Sequence, residues 1–438
     1  MKIELIVPAV EENARIPNLS LPILAALLPK DADISFTDDL LTPIDVDQDL
    51  KQVDLVGITV LTKTALRAYE IADAYRKKGI PVVLGGIHPT ALPEEAKTHA
   101  DSVVIGEAEE IWPQLIEDAK GGYLKPFYHQ PGYTALSSLP IPRRDILPRR
   151  GYLPVDVIQA TRGCPYHCEF CSVQKFFGET YRFRPISDVV EEVRRLRHRW
   201  VMFNDDNIIG NHLYSKELLN ALIPLKKKWF GQASLSGLKA IENVELLAKS
   251  GCTSLFIGFE SLSKKNLVAS KKFQNDPSEY CEIIDTLHRH GIAICGSFVF
   301  GFDEDDPSVF EETVSFSIQT KLFLAIFMIL TPYPETTYYH RIKKEGRLVQ
   351  DQWWLLKNPE DSAPHFLPKK MTRQVLREGW KKAWKDFYSF PSVWKRFHWD
   401  YSPTLINRFV YFPFQWMQHR FTQKKILEGK RRYRTGSF

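Results

Sequence analysis

Cys164, Cys168 and Cys171 stand close together in the stretch ATRGCPYHCEFCSVQ. Their CxxxCxxC spacing lets one short loop present three thiolates to one face of an iron-sulfur cluster, leaving a corner iron open to a substrate or cofactor. Zinc is the competing reading, but a structural zinc takes four closed ligands, often as two CxxC pairs, and the nearby fourth donor is His167, inside the same loop. Further groups suited to a site end apolar runs: adjacent Asp205 and Asp206 in FNDDNIIGN, Glu260 in FIGFES, and the pair Gly85 and Gly86 in VVLGG. A carboxylate there can accept hydrogen bonds from an ammonium group. Paired glycines permit close backbone approach to a bulky ligand.

These residues need elements to aim them. Residues 1–125 alternate strand and helix as a small doubly wound α/β domain, with strands read at IELIV, DISFT, DLVGITVL, PVVLGG and SVVIG, and helical periodicity in TALRAYEIADAYRKKG. Residues 126–152, rich in proline and glycine, read as a linker. Residues 153–335 hold six strand candidates, VDVIQA, WVMFND, QASLSG, SLFIGFE, AICGSFVFG and LFLAIFMIL, alternating with helices, for which Ser187 and Asp276 or Ser278 are the expected caps. Six such units give a partial barrel with its chemistry at the carboxyl ends of the strands. Residues 336–438 read as a helical region rich in bases and aromatics.

No amino-terminal stretch resembles a signal peptide and no apolar run approaches a membrane span, so a cytosolic enzyme is expected. The remaining cysteines, Cys252, Cys281 and Cys295, do not form a disulfide framework and are read as buried thiols. The formal charge of +5 is unevenly placed: from His365 onward there are 17 Lys and Arg against 4 Asp and Glu. Bases interleaved with Trp, Tyr and Phe suit an anionic membrane surface, a plain helical subdomain with a solvated basic face, or single-stranded nucleic acid, of which the last is the weakest reading.

CPYHCEFC after a strand, with β/α alternation behind it, resembles the signature of radical S-adenosylmethionine enzymes. The resemblance implies a 4Fe-4S cluster on the three cysteines, with S-adenosylmethionine on the open iron and an external electron donor such as flavodoxin or ferredoxin. It implies that Asp205 or Asp206 meets the amino group of S-adenosylmethionine, the other being a turn residue. Glu260 is similar to the acidic residue that contacts its ribose or methionine portion. GSFVFGFDED is similar to the GxIxGxxE segment that supports adenine, with Val299, Gly301 and Glu304 in step and Gly296 one residue early. The TPYPETTYYHR loop looks like the one closing such sites, where Tyr333 either faces substrate or is packed.

The amino-terminal strand ends resemble a cobalamin-binding domain: Thr59 and Leu61 lie where the family has SxL, Gly85 and Gly86 where it has GG, and the segment from Val104 looks like its closing Gly-Glu element. The family's DxHxxG is missing, so no histidine is offered as the lower cobalt ligand, and His88 reads as a packed loop histidine. The whole is similar to hopanoid methylases and the anaerobic chlorophyll cyclase group. It implies methylation of an unactivated carbon of a lipid-like or polycyclic substrate, with oxidative cyclisation or rearrangement as the alternative. An RNA methylthiotransferase is a further alternative, disfavoured because no cysteine precedes Cys164.

Overall fold

The computed structural model describes residues 1–9, 15–30, 32–240, 244–357, 363–397 and 405–423. The basic run from 424 and part of the segment after the first strand lie outside them. Two six-stranded sheets, each with all strands parallel, organise the chain.

The first has the spatial order Asp33–Asp38, Lys2–Val7, Leu55–Thr59, Val82–Gly85, Ser102–Ile105, Phe127–His129. The order reverses beside Lys2–Val7, which opens a ligand crevice at the carboxyl ends of the strands. Helix Ala65–Lys77 covers one face with Ala68, Tyr69, Ile71, Ala72 and Tyr75, the apolar spacing of a single helical stripe. Phe127–His129 falls in the stretch expected to be a linker. Three residues without clear alternation carry no strand signal, yet they pair with Val103 to Ile105 and extend the sheet.

The second sheet runs in sequence order: Val155–Ile158, Trp200–Phe203, Lys228–Ala233, Cys252–Glu260, Ala293–Phe300, Leu324–Ile329. Its first and last strands do not meet, which makes it the expected partial barrel. The third strand lies earlier than QASLSG predicts. Ser234 is held by Asn207, and Leu235–Ala240 turn into a helix. Ser187 lies inside its helix rather than capping it: Pro185 occupies the cap position, where its missing N–H costs nothing. Asp276 caps as expected, accepting from the Ser278 amide at 3.2 Å. Cys281 is exposed, contrary to expectation, because helix Tyr280–Arg289 turns Tyr280, Ile284, Leu287 and His288 inward and leaves its second residue outside.

The carboxyl-terminal helices give the basic, aromatic tail a role that composition did not suggest. Leu324–Ile329 is an edge strand whose outward carbonyls need donors. Trp380 and Trp384 in helix Arg373–Phe387 donate their indole N–H groups to Phe327 O at 2.8 and 2.9 Å, and the Tyr388 hydroxyl donates to Ala325 O at 2.9 Å. Gln415 donates to Phe323 O at 2.7 Å, and Arg396 to Leu322 O at 2.9 Å and Phe323 O at 3.1 Å. Arg396 is 2 % exposed and lies 3.9 Å above the Phe387 ring. Much of the tail is therefore an edge seal. Phe390, Trp394, Trp416 and Met417 remain outside as an exposed stripe, with Phe390 on Trp416 at 5.2 Å and Trp394 on Phe412 at 5.8 Å between ring centres. Among the described residues no helix is long and apolar enough to cross a membrane.

Candidate active site

The cysteine loop leaves the first barrel strand through the short strand Thr161–Arg162. Gly163 has φ +86°, and a Cβ there would sit 2.2 Å from Thr180 O, so only glycine makes this entry. The Cys164 amide donates to Gly178 O at 3.3 Å, and the Cys171 amide to Cys168 O at 3.1 Å. Tyr166, between the first two cysteines, bonds Ser236 Oγ at 2.6 Å, and Ser236, Ser234, Asn207 and Tyr181 continue one hydrogen-bonded chain across the barrel mouth. Burial pushes the Cys171 thiol up to about 12, so a bound metal must supply the positive charge that ionises it. His167, the donor that zinc would require, is bonded to Gln174 instead. Among the described residues no His, Cys, Asp or Glu trio converges on a single ion, and thiols that each take a separate cluster iron have no need to.

Both predicted aspartates reach this loop, in different roles. Asp205 is 2 % exposed and accepts the Ala160 amide at 3.1 Å and the Thr161 amide, so it is the turn residue of the pair. Asp206 is mostly buried with its Oδ2 unpartnered. Burial pushes its carboxyl up to about 6, against the Gly163 amide and the nearby Arg162 and Arg182, which favour the anion. An unpartnered carboxylate oxygen beside the loop is suited to an ammonium ligand.

Glu260 ends the fourth strand in a left-handed conformation, φ +63°, and its Oε1 is held by Lys272 Nζ at 2.6 Å. Sequence reasoning missed Lys272 and its neighbour Gln274, whose Nε2 lies 3.5 Å from Cys168 Sγ. No recognised spacing marks them; the signal available was a Lys-x-Gln pair shortly after an acidic strand end.

In the fifth strand, alternation separates the expected adenine segment into two faces. Gly296 shares the helix-facing side with Phe298 and Phe300, packed against Leu322 and Phe259, so it cannot reach a ligand in the barrel. Val299 is on the opposite face and buried. Gly301 packs against Phe366 and Leu376 of the carboxyl-terminal region. Glu304 points outward to Lys370, and the buried acid is Asp305, accepting from the Gly301 amide at 2.8 Å, the Phe302 amide at 3.0 Å and Asn266 Nδ2 at 2.7 Å. Tyr333 stacks edge-on against Trp353, which fits the packed reading.

In the amino-terminal domain Thr59 ends its strand and Leu61 is 48 % exposed at the crevice, an apolar side chain open to a ligand. Gly86 has φ +108°, and a Cβ would lie 2.9 Å from Val60 O, which fixes glycine beside Thr59; Gly85 ends the neighbouring strand. His88 is fully buried, its Nε2 bonded to Glu95 at 3.0 Å and Tyr69 at 3.1 Å, and its Nδ1 has no partner. Glu95 also accepts from Trp354 and Gln352, tying this crevice to the segment after the barrel.

A second tie joins the crevice to the cysteine loop. Glu107, at the end of Ser102–Ile105, accepts two hydrogen bonds from Arg182, at 2.9 and 2.5 Å, and lies 3.5 Å from Arg162, which also pairs with Glu109 at 2.6 Å. The donor set, the glycine cradle and the bridged domains together fit a cluster on one side and a large flat cofactor on the other.

Comparison with known proteins agrees. The model of the Radical SAM superfamily matches residues 158–317, that of the B12 binding domain residues 9–116, and a Domain of unknown function (DUF4070) residues 336–409. The chain is 34 % identical to bacteriochlorophyllide d C-12(1)-methyltransferase of Chlorobaculum tepidum over 86 % of this chain and 84 % of that one, and 27 % identical to hopanoid C-2 methylase of Rhodopseudomonas palustris over 90 % and 75 %. Among solved structures, the cobalamin-dependent S-adenosylmethionine radical enzyme OxsB superposes with TM-score 0.67 at 16 % identity, covering 97 % of this chain and 72 % of that one. The radical S-adenosylmethionine methyltransferase TsrM from Kitasatospora setae gives 0.62 at 17 %, covering 79 % and 78 %. The chain belongs to the cobalamin-dependent radical S-adenosylmethionine methyltransferases, enzymes that work with a 4Fe-4S cluster, S-adenosylmethionine and cobalamin.

Proposed function

We propose that this enzyme methylates an unactivated carbon of an apolar, lipid-like or polycyclic substrate, with a tetrapyrrole pigment the first to test. The observation that carries this is the 34 % identity, over most of both chains, to a bacteriochlorophyllide methyltransferase. When bound, the cluster, S-adenosylmethionine and cobalamin supply radical formation and the methyl group; the protein binds, orients and excludes water. In this reading Cys164, Cys168 and Cys171 hold the cluster, the free oxygen of Asp206 accepts the amino group of S-adenosylmethionine, and Glu260 and Val299 line the remainder of its site. Asp205 supports the loop from behind. Thr59, Leu61, Gly85 and Gly86 form the cobalamin crevice, and His88, already committed to Glu95 and Tyr69, does not ligate cobalt.

An oxidative cyclase is the second reading, favoured by 24 % identity over 82 % of the chain to an anaerobic magnesium-protoporphyrin IX monomethyl ester cyclase of Cereibacter sphaeroides. Product mass after anaerobic reaction with reductant, cobalamin, S-adenosylmethionine and a pigment or lipid extract separates them: methylation adds a CH2, ring closure does not. We also assign the electron supply to an external flavodoxin or ferredoxin. The exposed Phe390, Trp394 and Trp416 stripe is read as a shallow dock on an anionic membrane from the cytoplasmic side, where bases and interfacial aromatics act together.

A further inference from the structure

The segment after helix Lys264–Ala269 is built to push one cation toward the cysteine loop. The helix closes with the Lys271 amide on Val268 O at 3.0 Å and the Lys272 amide on Leu267 O at 2.8 Å, the paired bonds of a Schellman ending. That ending puts its next residue in the left-handed region, where glycine is usual; here it is Lys271, at φ +57°. The turn carries Lys272 inward, and the side chain is 14 % exposed. Ser270, the last residue before the turn, accepts the Glu169 amide at 3.0 Å, so the turn is hydrogen-bonded to the loop between Cys168 and Cys171.

The positive charge of Lys272 favours the thiolates of Cys164 and Cys171 against the larger, opposing effect of burial. Gln274, two residues on, places an N–H donor 3.5 Å from Cys168 Sγ. Glu260 holds the ammonium from the other side at 2.6 Å, and Gly258 leaves room for the pair: a Cβ there would fall 2.4 Å from Glu260 Oε1 and 3.1 Å from Lys272 Nζ. Glu260 itself and Lys271, next to Lys272, are non-glycine residues with positive φ, and such strain gathers where the surrounding structure needs a particular placement.

We propose that Lys272, balanced by Glu260 and assisted by Gln274, sets the reduction potential of the cluster on the three cysteines. This rests on the reading that those cysteines hold it. One electron enters from an external low-potential donor and lowers the charge of the cluster and its thiolates by one, with no bond made or broken. A nearby cation and an N–H donor to sulfur favour the reduced form, and a nearby carboxylate disfavours it. Lys272 and Glu260 therefore act with opposite sign, which separates a potential-setting role from a packing role.

The test is a redox titration of reconstituted holoenzyme without S-adenosylmethionine, followed by the electron paramagnetic resonance of the reduced cluster, at matched iron content. Lys272→Met should make reduction at least tenfold less favourable, about 59 mV downward for a one-electron couple. Glu260→Gln should move it upward, the double variant should fall between the two, Gln274→Leu should move it downward, and Lys272→Arg should stay near the parent. Should Lys272→Met not fold, Glu260→Gln and Gln274→Leu carry the test. Unchanged potentials in variants with intact clusters, or Lys272→Met and Glu260→Gln moving the same way, would overturn the proposal. A full cluster in Cys168→Ala protein would instead overturn the cysteine assignment beneath it.

Discussion

Removing Glu107 should unfasten the cobalamin domain from the cysteine loop. Its side chain is 1 % exposed and accepts two hydrogen bonds from Arg182 and one from the Thr134 amide at 2.7 Å. Glu107→Ala leaves the Arg182 guanidinium, 16 % exposed, with only the carbonyls of Thr134 and Phe177 as acceptors, while Arg162 keeps Glu109. Breaking one side of a buried pair costs about 3–5 kcal/mol, and the surviving partners place this case at about 3 kcal/mol. Adding Arg182→Met should recover part of that loss, because the stranded charge goes with it. Burial alone would raise the Glu107 carboxyl, but the hydrogen bonds from Arg182 and the charges of Arg162 and Arg182 hold it below the usual range. Its contribution is thus fully present above an unfolded pKa of about 4.3 and is lost as pH falls through the lower folded value, so the penalty of Glu107→Ala should shrink in acid. Urea unfolding of the four proteins of the cycle, read by tryptophan fluorescence, measures this. A penalty under about 0.5 kcal/mol, or an Arg182→Met cost that simply adds to it, would refute the reasoning.

Burial pushes the Asp305 carboxyl up to about 6, and the Gly301, Phe302 and Asn266 donors only partly offset it, so the native state loses about 2–3 kcal/mol from this group as pH rises from about 4, where the unfolded carboxyl ionises, to about 6. Asp305→Asn should show a flatter stability profile between about pH 4 and 6, and parallel profiles over that range would count against it. Arg396→Met strips donors from Leu322 O and Phe323 O, just before the edge strand, and should cost about 3 kcal/mol by thermal or urea unfolding, whereas a purely solvated arginine would cost almost nothing. Phe390→Ser with Trp394→Ser should lower co-sedimentation with anionic vesicles at low salt while leaving the fold intact, since both side chains are more than half exposed; unchanged partition would remove the membrane reading.

Both sheets were legible in the sequence because parallel strands buried on two faces read as short apolar runs, as in VVLGG and AICGSFVFG. The cysteine loop was legible because its chemistry is local. What was not legible depends on partners distant in the chain. Phe127–His129 is a strand only because Val103 to Ile105 offer it an edge. Gly296 stands one residue early against its motif, and pleat alternation turns it to the helices. The Trp and Arg residues of the tail look interfacial by composition, while Trp384 serves a carbonyl of the edge strand and Arg396 one just before it, each more than fifty residues earlier. Lys272 was invisible for the same reason, and Glu107, although it stands in the Gly-Glu element read from Val104, gave no sign of its tie to Arg182: each matters through a charge brought to it by folding.

The account is tested most directly by anaerobic turnover of the reconstituted enzyme with reductant, cobalamin, a tetrapyrrole pigment and S-adenosylmethionine carrying a trideuterated methyl group. It predicts a pigment in which one C–H hydrogen is replaced by the labelled methyl, formed together with equal amounts of 5′-deoxyadenosine and S-adenosylhomocysteine, and no such product from Cys168→Ala protein. Labelled product made equally well by Cys168→Ala, or 5′-deoxyadenosine formed across pigment and lipid substrates with no labelled methyl in any product, would contradict it.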